Sequence, residues 1–264
     1  MDRQSFVTND CHQYSGARPG LAEWFATPQG KHVLDWELRQ FEHATEDVFG
    51  YRAVQAGLPG VDFLCGNRIP FRFTLALEQG AALAADPMQL PLANQSVDLV
   101  ALPHALESAA DPHLVLREAE RVLIPEGQLV ISGFNPLSLW RLRQMFARHG
   151  AGAPWDERFI GLLRLKDWLN LLGFELNGGR FGCYAPPLAS PSWHERFAFM
   201  ENAGARWWPI LGGVYVVRAV KRVHGMRVIT PAWRKERARR RALAAIPQRN
   251  GHATNNAHRR NGDG

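Results

Sequence analysis

The chain has 264 residues, 46% hydrophobic and 21% charged, enough to bury an ordinary core without disulfide or metal staples. Cys11, Cys65 and Cys183 lie far apart with no C-x-x-C pair, so neither a disulfide framework nor a zinc site is indicated. The polar start MDRQ has no apolar h-region, and no uninterrupted apolar run reaches membrane-spanning length; a cytoplasmic protein without a transmembrane segment is expected. The net charge of +6 is unevenly spread: residues 218–264 carry 13 Lys or Arg against two acids, and residues 1–217 carry 18 against 23. A mildly acidic globule is therefore joined to a basic tail.

In chain order, the first clear element is a helix after Thr27. Thr27 is an N-cap and Pro28 sits at N1, while Val33, Leu34, Trp36, Glu37, Leu38 and Phe41 form one stripe. Trp24 and Phe25 just before it are placed to pack as core or lid, or to touch substrate. Residues 71–77 alternate like a strand, and residues 81–85 read as another only three residues later. Neighbouring parallel strands need a crossover of about a dozen residues. Either the helix between these two has been lost, or one of them is not a strand of the sheet.

Residues 97–102 form a short, continuous apolar strand, with Asp98 expected to order its start. Asp111 as N-cap and Pro112 at N1 then open a helix with Leu114, Leu116, Ala119, Val122 and Leu123 on its apolar face, stopped by Pro125 and Gly127. A strand at 129–134 completes a right-handed βαβ crossover. Asp86, Pro103, His104, Gly133 and Asn135 fall at strand ends, the edge where ligands bind in open α/β sheets. His104 is the candidate catalytic base on an acceptor, with a structural role as the plainer reading; no other catalytic residue stands out.

Between about 183 and 208 an insertion gathers Trp193, Phe197, Phe199, Met200, Trp207 and Trp208, which suits either an apolar or planar acceptor, a membrane surface, or a helix capping the sheet. Residues 248–264 are polar and Asn-rich, without an apolar face, and are expected to be disordered. The basic run that opens at Arg234 and closes at Arg241 suits nucleic acid or an anionic surface, or else merely solubilises the chain.

The run from Asp86 through LPLANQSVDLV, HALE and LREAERVLIPEGQLVISG resembles the second half of a class I S-adenosylmethionine-dependent methyltransferase of the type 11 group. LKDWLNLLGF at 165–174 resembles the helix before that family's sixth strand, and GGVYVVRAVKR at 212–222 its antiparallel last strand. The resemblance covers roughly 47–222. It implies a Rossmann-like, mostly parallel sheet with helices on both faces and an antiparallel last strand. A helical segment would precede it at 1–46, and a basic tail would follow at 223–264.

The cofactor implied is S-adenosyl-L-methionine. Asp86 would bond the adenine amine, with Pro87 and Met88 backing the ring and Pro103 and His104 closing the edge. The glycine-rich loop falls on residues 52–60, where Gln55 stands in place of an acid, Gly57 matches the first glycine, Leu58 follows, Pro59 occupies or adjoins the second glycine and Gly60 is one step out. Glu78 is the nearby carboxylate available for the ribose hydroxyls. Two functions follow from this mixture. One is methyl transfer to an acceptor that the sequence does not name; the other is a non-catalytic relative whose tail recruits nucleic acid or another acidic partner.

Overall fold

The computed structural model describes residues 20–77, 80–146, 158–185, 204 and 206–222. Glu78, the basic tail and most of the aromatic insertion, including Trp193, Phe197, Phe199 and Met200, lie outside the described residues.

Seven strands form one sheet in the order β3-β2-β1-β4-β5-β7-β6. They are β1 (Arg52–Ala56), β2 (Phe71–Ala76), β3 (Leu83–Ala84), β4 (Val97–Pro103), β5 (Leu123–Phe134), β6 (Phe174–Gly182) and β7 (Val214–Lys221). β3 to β5 are joined by parallel pairings, and β7 runs antiparallel to both β5 and β6. Rossmann-like architecture with an antiparallel last strand is thus what the chain adopts.

β2 and β3 are both strands of the sheet, with no helix among the described residues between them. Their parallel pairing comprises just Leu75 with Leu83 and Ala76 with Ala84. A crossover must return the chain along the length of the strand it pairs with. Here the return is two residues, so the short connection suffices.

Helix α4 (Pro112–Val122) makes the crossover from β4 to β5. The Asp111 carboxylate accepts from the His113 N–H at 2.9 Å, capping the helix as expected. Val115, Leu116, Ala119 and Val122 are buried, but Leu114 is 40% exposed. Leu114 precedes Leu116 by two positions and so projects from the opposite side. The helix ends before Pro125: Leu123 closes the last turn with its N–H on Ala119 and already belongs to β5. Pro125 and Gly127 lie in the irregular start of that strand, where the register with β4 shifts.

One face of the sheet is covered by α4 and α6 (Leu162–Leu171), which bury Leu116, Ala119, Val122, Leu165 and Leu169 in an apolar cluster with Val100, Leu102 and Ile131. The other is roofed by α1 (Leu21–Phe25) and α2 (Pro28–Thr45), which bury Trp24, Phe25, Val33, Leu34 and Phe41 against Ala101, Val130 and Phe134. Thr27 caps α2 by accepting from the Gly30 N–H at 3.1 Å. Asp98 accepts from the Tyr51 and Arg52 N–H groups, both at 2.9 Å, and ties the start of β1 to β4. Trp24 and Phe25 are packed into the core, with Trp24 edge-on to Phe134 and Trp140.

Candidate active site at the carboxyl edge

Gln55, near the end of β1, is buried, and its own loop uses its whole side chain. Its Nε2 donates toward the carbonyls of Gly57 (3.1 Å), Leu58 (3.1 Å) and Val61 (2.7 Å), while Oε1 accepts from the Phe63 N–H at 2.9 Å. An amide suits this place because three of the four partners are acceptors. Expected as a cofactor contact, Gln55 instead folds the loop that follows it, and neither it nor Gly60 lines the cleft. Gly57 has φ +98°, and a Cβ there would sit 3.2 Å from the Pro103 carbonyl oxygen, so a side chain is disfavoured on both counts. Leu58 also holds a positive φ of 45°.

A cleft of about 160 Å³ opens at the carboxyl ends of β1, β2 and β4. Gly57, Leu58, Asp86, Pro87, Met88 and Pro103 line it, together with His104 and Ala105, so the structure brings together most of the residues named from sequence. The Met88 N–H donates to Asp86 Oδ1 at 2.8 Å and fixes the carboxylate's orientation. Oδ2 has no hydrogen-bond partner among the described residues. Pro87 brings no N–H to this wall.

Behind the cleft lies a fully buried ion cluster. His104 follows β4 in the left-handed region (φ 49°) and precedes the single turn α3 (Ala105–Ser108). Its Nδ1 is 2.6 Å from Glu107 Oε2, and its Nε2 is 2.8 Å from Glu37 Oε1 on α2. The Phe134 N–H donates to the other oxygen of Glu107. A Cβ on Gly133 would lie 3.2 Å from that oxygen and 2.7 Å from the Tyr215 hydroxyl, so glycine permits the approach. The Tyr215 hydroxyl donates to the Ile160 carbonyl at 3.0 Å.

Burial alone would lower the His104 pKa, but the two carboxylates outweigh it and hold the imidazolium up to about 10. Burial also pushes the Glu107 carboxyl up, and the imidazolium opposes that rise. His104 is therefore a cation at neutral pH with both ring N–H groups engaged. Both ring nitrogens are taken by carboxylates and the side chain is buried, a geometry that does not favour the general-base role expected of it. The cluster joins α2 to the β4 edge and, through Phe134, to the end of β5.

Glu37 and Glu107 were not recognised from sequence as a site. Each left a trace: Glu37 interrupts the stripe formed by Val33, Leu34 and Phe41, and Glu107 follows His104 by three residues.

The strand order, the glycine turn after β1 and the acid after β3 define a sheet of the class I methyltransferase type. The sequence model of a family described as "Methyltransferase domain" matches residues 71–131, from β2 into β5. A protein of Escherichia coli described as "Uncharacterized protein YafS" is 35% identical over 202 residues, covering 75% of this chain and 80% of that protein. A malonyl-[acyl-carrier protein] O-methyltransferase of Laribacter hongkongensis is 39% identical over 94 residues, covering 36% of this chain and 31% of that enzyme. Among solved structures, an S-adenosylmethionine-dependent methyltransferase of Thermotoga maritima, titled a possible histamine N-methyltransferase, superposes with a TM-score of 0.53 at 18% identity, covering 76% of this chain and 94% of that one.

The chain belongs to the class I S-adenosylmethionine-dependent methyltransferases, in the type 11-like group. The family match and the fold imply S-adenosyl-L-methionine as the cofactor. The cleft fits such a group: it has an oriented carboxylate whose other oxygen meets no partner among the described residues, apolar walls and a backbone stripped of Cβ at Gly57.

Proposed function

We propose that this protein transfers a methyl group from S-adenosyl-L-methionine to an acceptor at the carboxyl edge of the sheet, with the cleft beside Asp86 as its cofactor site. The observation that carries the reading is Asp86, held by Met88 with one oxygen open beside an apolar wall. That oxygen accepts from the adenine amine, while Pro87, which has no N–H, adds no donor beside it. Pro87 and Met88 flank the ring, and Gly57 lets the loop backbone approach. When bound, the cofactor supplies an electrophilic sulfonium methyl group, so the protein has to place the acceptor in line and exclude water rather than generate a strong nucleophile.

The ion cluster serves the placement. His104, clamped by Glu37 and Glu107, holds α2 over the edge and fixes the backbone of Pro103 and Ala105 where they line the cleft. His104 is a positioning residue on this reading, and proton removal, where the acceptor needs it, falls to the acceptor's own chemistry or to solvent.

Departures from the family pattern favour a second reading, a non-catalytic sheet whose basic tail recruits an acidic partner. Pro59 occupies or adjoins the place of the second loop glycine, and Pro87 removes a donor. Against it, Gln55 restores order to the loop by a different set of hydrogen bonds, leaving Gly57 and Leu58 on the cleft. The scattered cysteines support a cytoplasmic location for either. Isothermal titration with S-adenosylmethionine and S-adenosylhomocysteine decides between them. Micromolar binding supports the enzyme, and absence of heat at millimolar ligand supports the scaffold.

A further inference from the structure

We infer that a second cleft, between α2 and the β6–β7 ribbon, binds the phosphate group of a small soluble molecule. It has a volume of about 300 Å³ and is lined by Gln40, His43, Asn177, Gly178, Arg180 and Arg218 among others, sharing no residue with the cleft beside Asp86.

The argument is electrostatic. In the β6–β7 register Arg180 lies opposite Val216 and Gly178 opposite Arg218, so the two arginines are diagonal neighbours on one face, with Cα atoms roughly 7–8 Å apart. Like charges at that spacing repel. Among the described residues neither guanidinium makes an ion pair, and no carboxylate lines the cleft. The nearest acid in the network, Glu46, is taken by His43 Nδ1 at 3.0 Å. With Nδ1 turned to that acid, His43 Nε2 lies 3.2 Å from Arg180 Nη2. Arg218 donates through Nε to Gln128 at 3.0 Å, which leaves its two terminal nitrogens facing no described partner.

Space accompanies the charge. A Cβ on Gly178 would meet nothing within 4 Å, so the position opposite Arg218 is open where any other residue would put a side chain. Arg180 and Arg218 line this volume together with Gln40 and Asn177. A phosphate monoester presents three terminal oxygens to such a set and neutralises both cations, whereas a carboxylate presents two. The inference stands apart from methyl transfer.

The test is titration of the full chain with inorganic phosphate and glycerol 3-phosphate at constant ionic strength, followed by calorimetry or amide NMR shifts. Wild type is expected to saturate with a Kd of about 1 mM or tighter. Arg180→Gln/Arg218→Gln is expected to weaken binding at least about tenfold, as two charge-assisted contacts are lost. Gly178→Leu keeps both charges but fills the cleft and is expected to show the same loss. Arg222→Gln, whose guanidinium faces Glu126 and Glu175, is expected to bind as wild type. No saturation of wild type by about 10 mM phosphate overturns the inference. So does unchanged affinity in either cleft variant, which would place any binding elsewhere on the chain.

Discussion

Under the sheet, α4 and α6 bury Leu116, Ala119, Val122, Leu165 and Leu169 against the apolar sides of β4 and β5, whereas the face roofed by α2 holds Glu37, Thr45, Gln55 and Asn67 among its hydrophobic residues. Both layers exclude water, but they do different work. Aliphatic packing is nondirectional and accommodates small shifts. A buried polar group has to meet its partner within hydrogen-bond geometry or lose its solvation uncompensated. Asn67 donates to the Thr45 carbonyl at 2.6 Å, and His104 meets Glu37 at 2.8 Å, so the roof is held at one position on the sheet. The cofactor cleft opens beside that polar layer, where such precision has a use.

The comparison is broken most directly at its ion cluster. His104→Ala leaves Glu37 and Glu107 buried without their cation, and is expected to cost about 3–5 kcal/mol in chemical denaturation. Cofactor affinity should fall with it in the protein that remains folded, because Pro103 and Ala105 lose their anchor. The apolar face supplies the contrast: Leu116→Ala should cost about 2–5 kcal/mol through the cavity it leaves, yet calorimetry on the folded fraction should find cofactor affinity unchanged. Equal loss of affinity in both variants would show that the roof has no special role.

Gln55→Glu, which brings back the acid usual in the family, turns a donor into a carboxylate facing the carbonyls of Gly57, Leu58 and Val61. A loss of about 1–3 kcal/mol is expected, together with weaker cofactor binding. A stable variant that binds more tightly would refute the assignment of Gln55 as a loop staple. Asp86→Ala should leave the melting temperature near that of wild type and weaken cofactor binding about tenfold or more, since a lost hydrogen bond costs about 1–3 kcal/mol.

The gentlest probe is pH. His104 is raised from 6.5 to about 10 in the folded chain, so its stabilising contribution is complete below pH 6.5 and fades as pH rises toward 10. Thermal melts from pH 6.5 to 10 should show declining stability in wild type. His104→Ala should lack that part of the decline, and parallel curves would exclude the cluster as its source.

How much of this was legible in sequence followed the range of the interactions. The βαβ unit was read almost in full because Asp111, Pro112 and the buried positions of α4 act within a few residues of one another. Leu114 was misplaced because a stripe of apolar residues does not say which flank faces solvent. The missing helix between β2 and β3 looked like a contradiction until the pairing proved to be two residues long, a length that depends on where β3 meets the sheet edge. Gly57 and Asp86, expected from their loops, both line the cleft. Gln55 was placed at the right loop but given the wrong partner, because nothing in its neighbours tells whether an amide faces ligand or backbone.

By itself the sequence determined the strand–helix rhythm, the caps, the glycine turn and the acid at the sheet edge, all of which rest on local backbone preferences and periodic burial. The tertiary structure alone decided that Glu37 would pair with a histidine 67 residues away, and that Arg180 and Arg218 would share one face of a ribbon. Such pairings are set by how α2 seats on the sheet and by the register of β6 with β7. The charges involved are indifferent to sequence distance: once water is removed and the backbone brings them together, Coulomb attraction and repulsion at a few ångströms fix their roles.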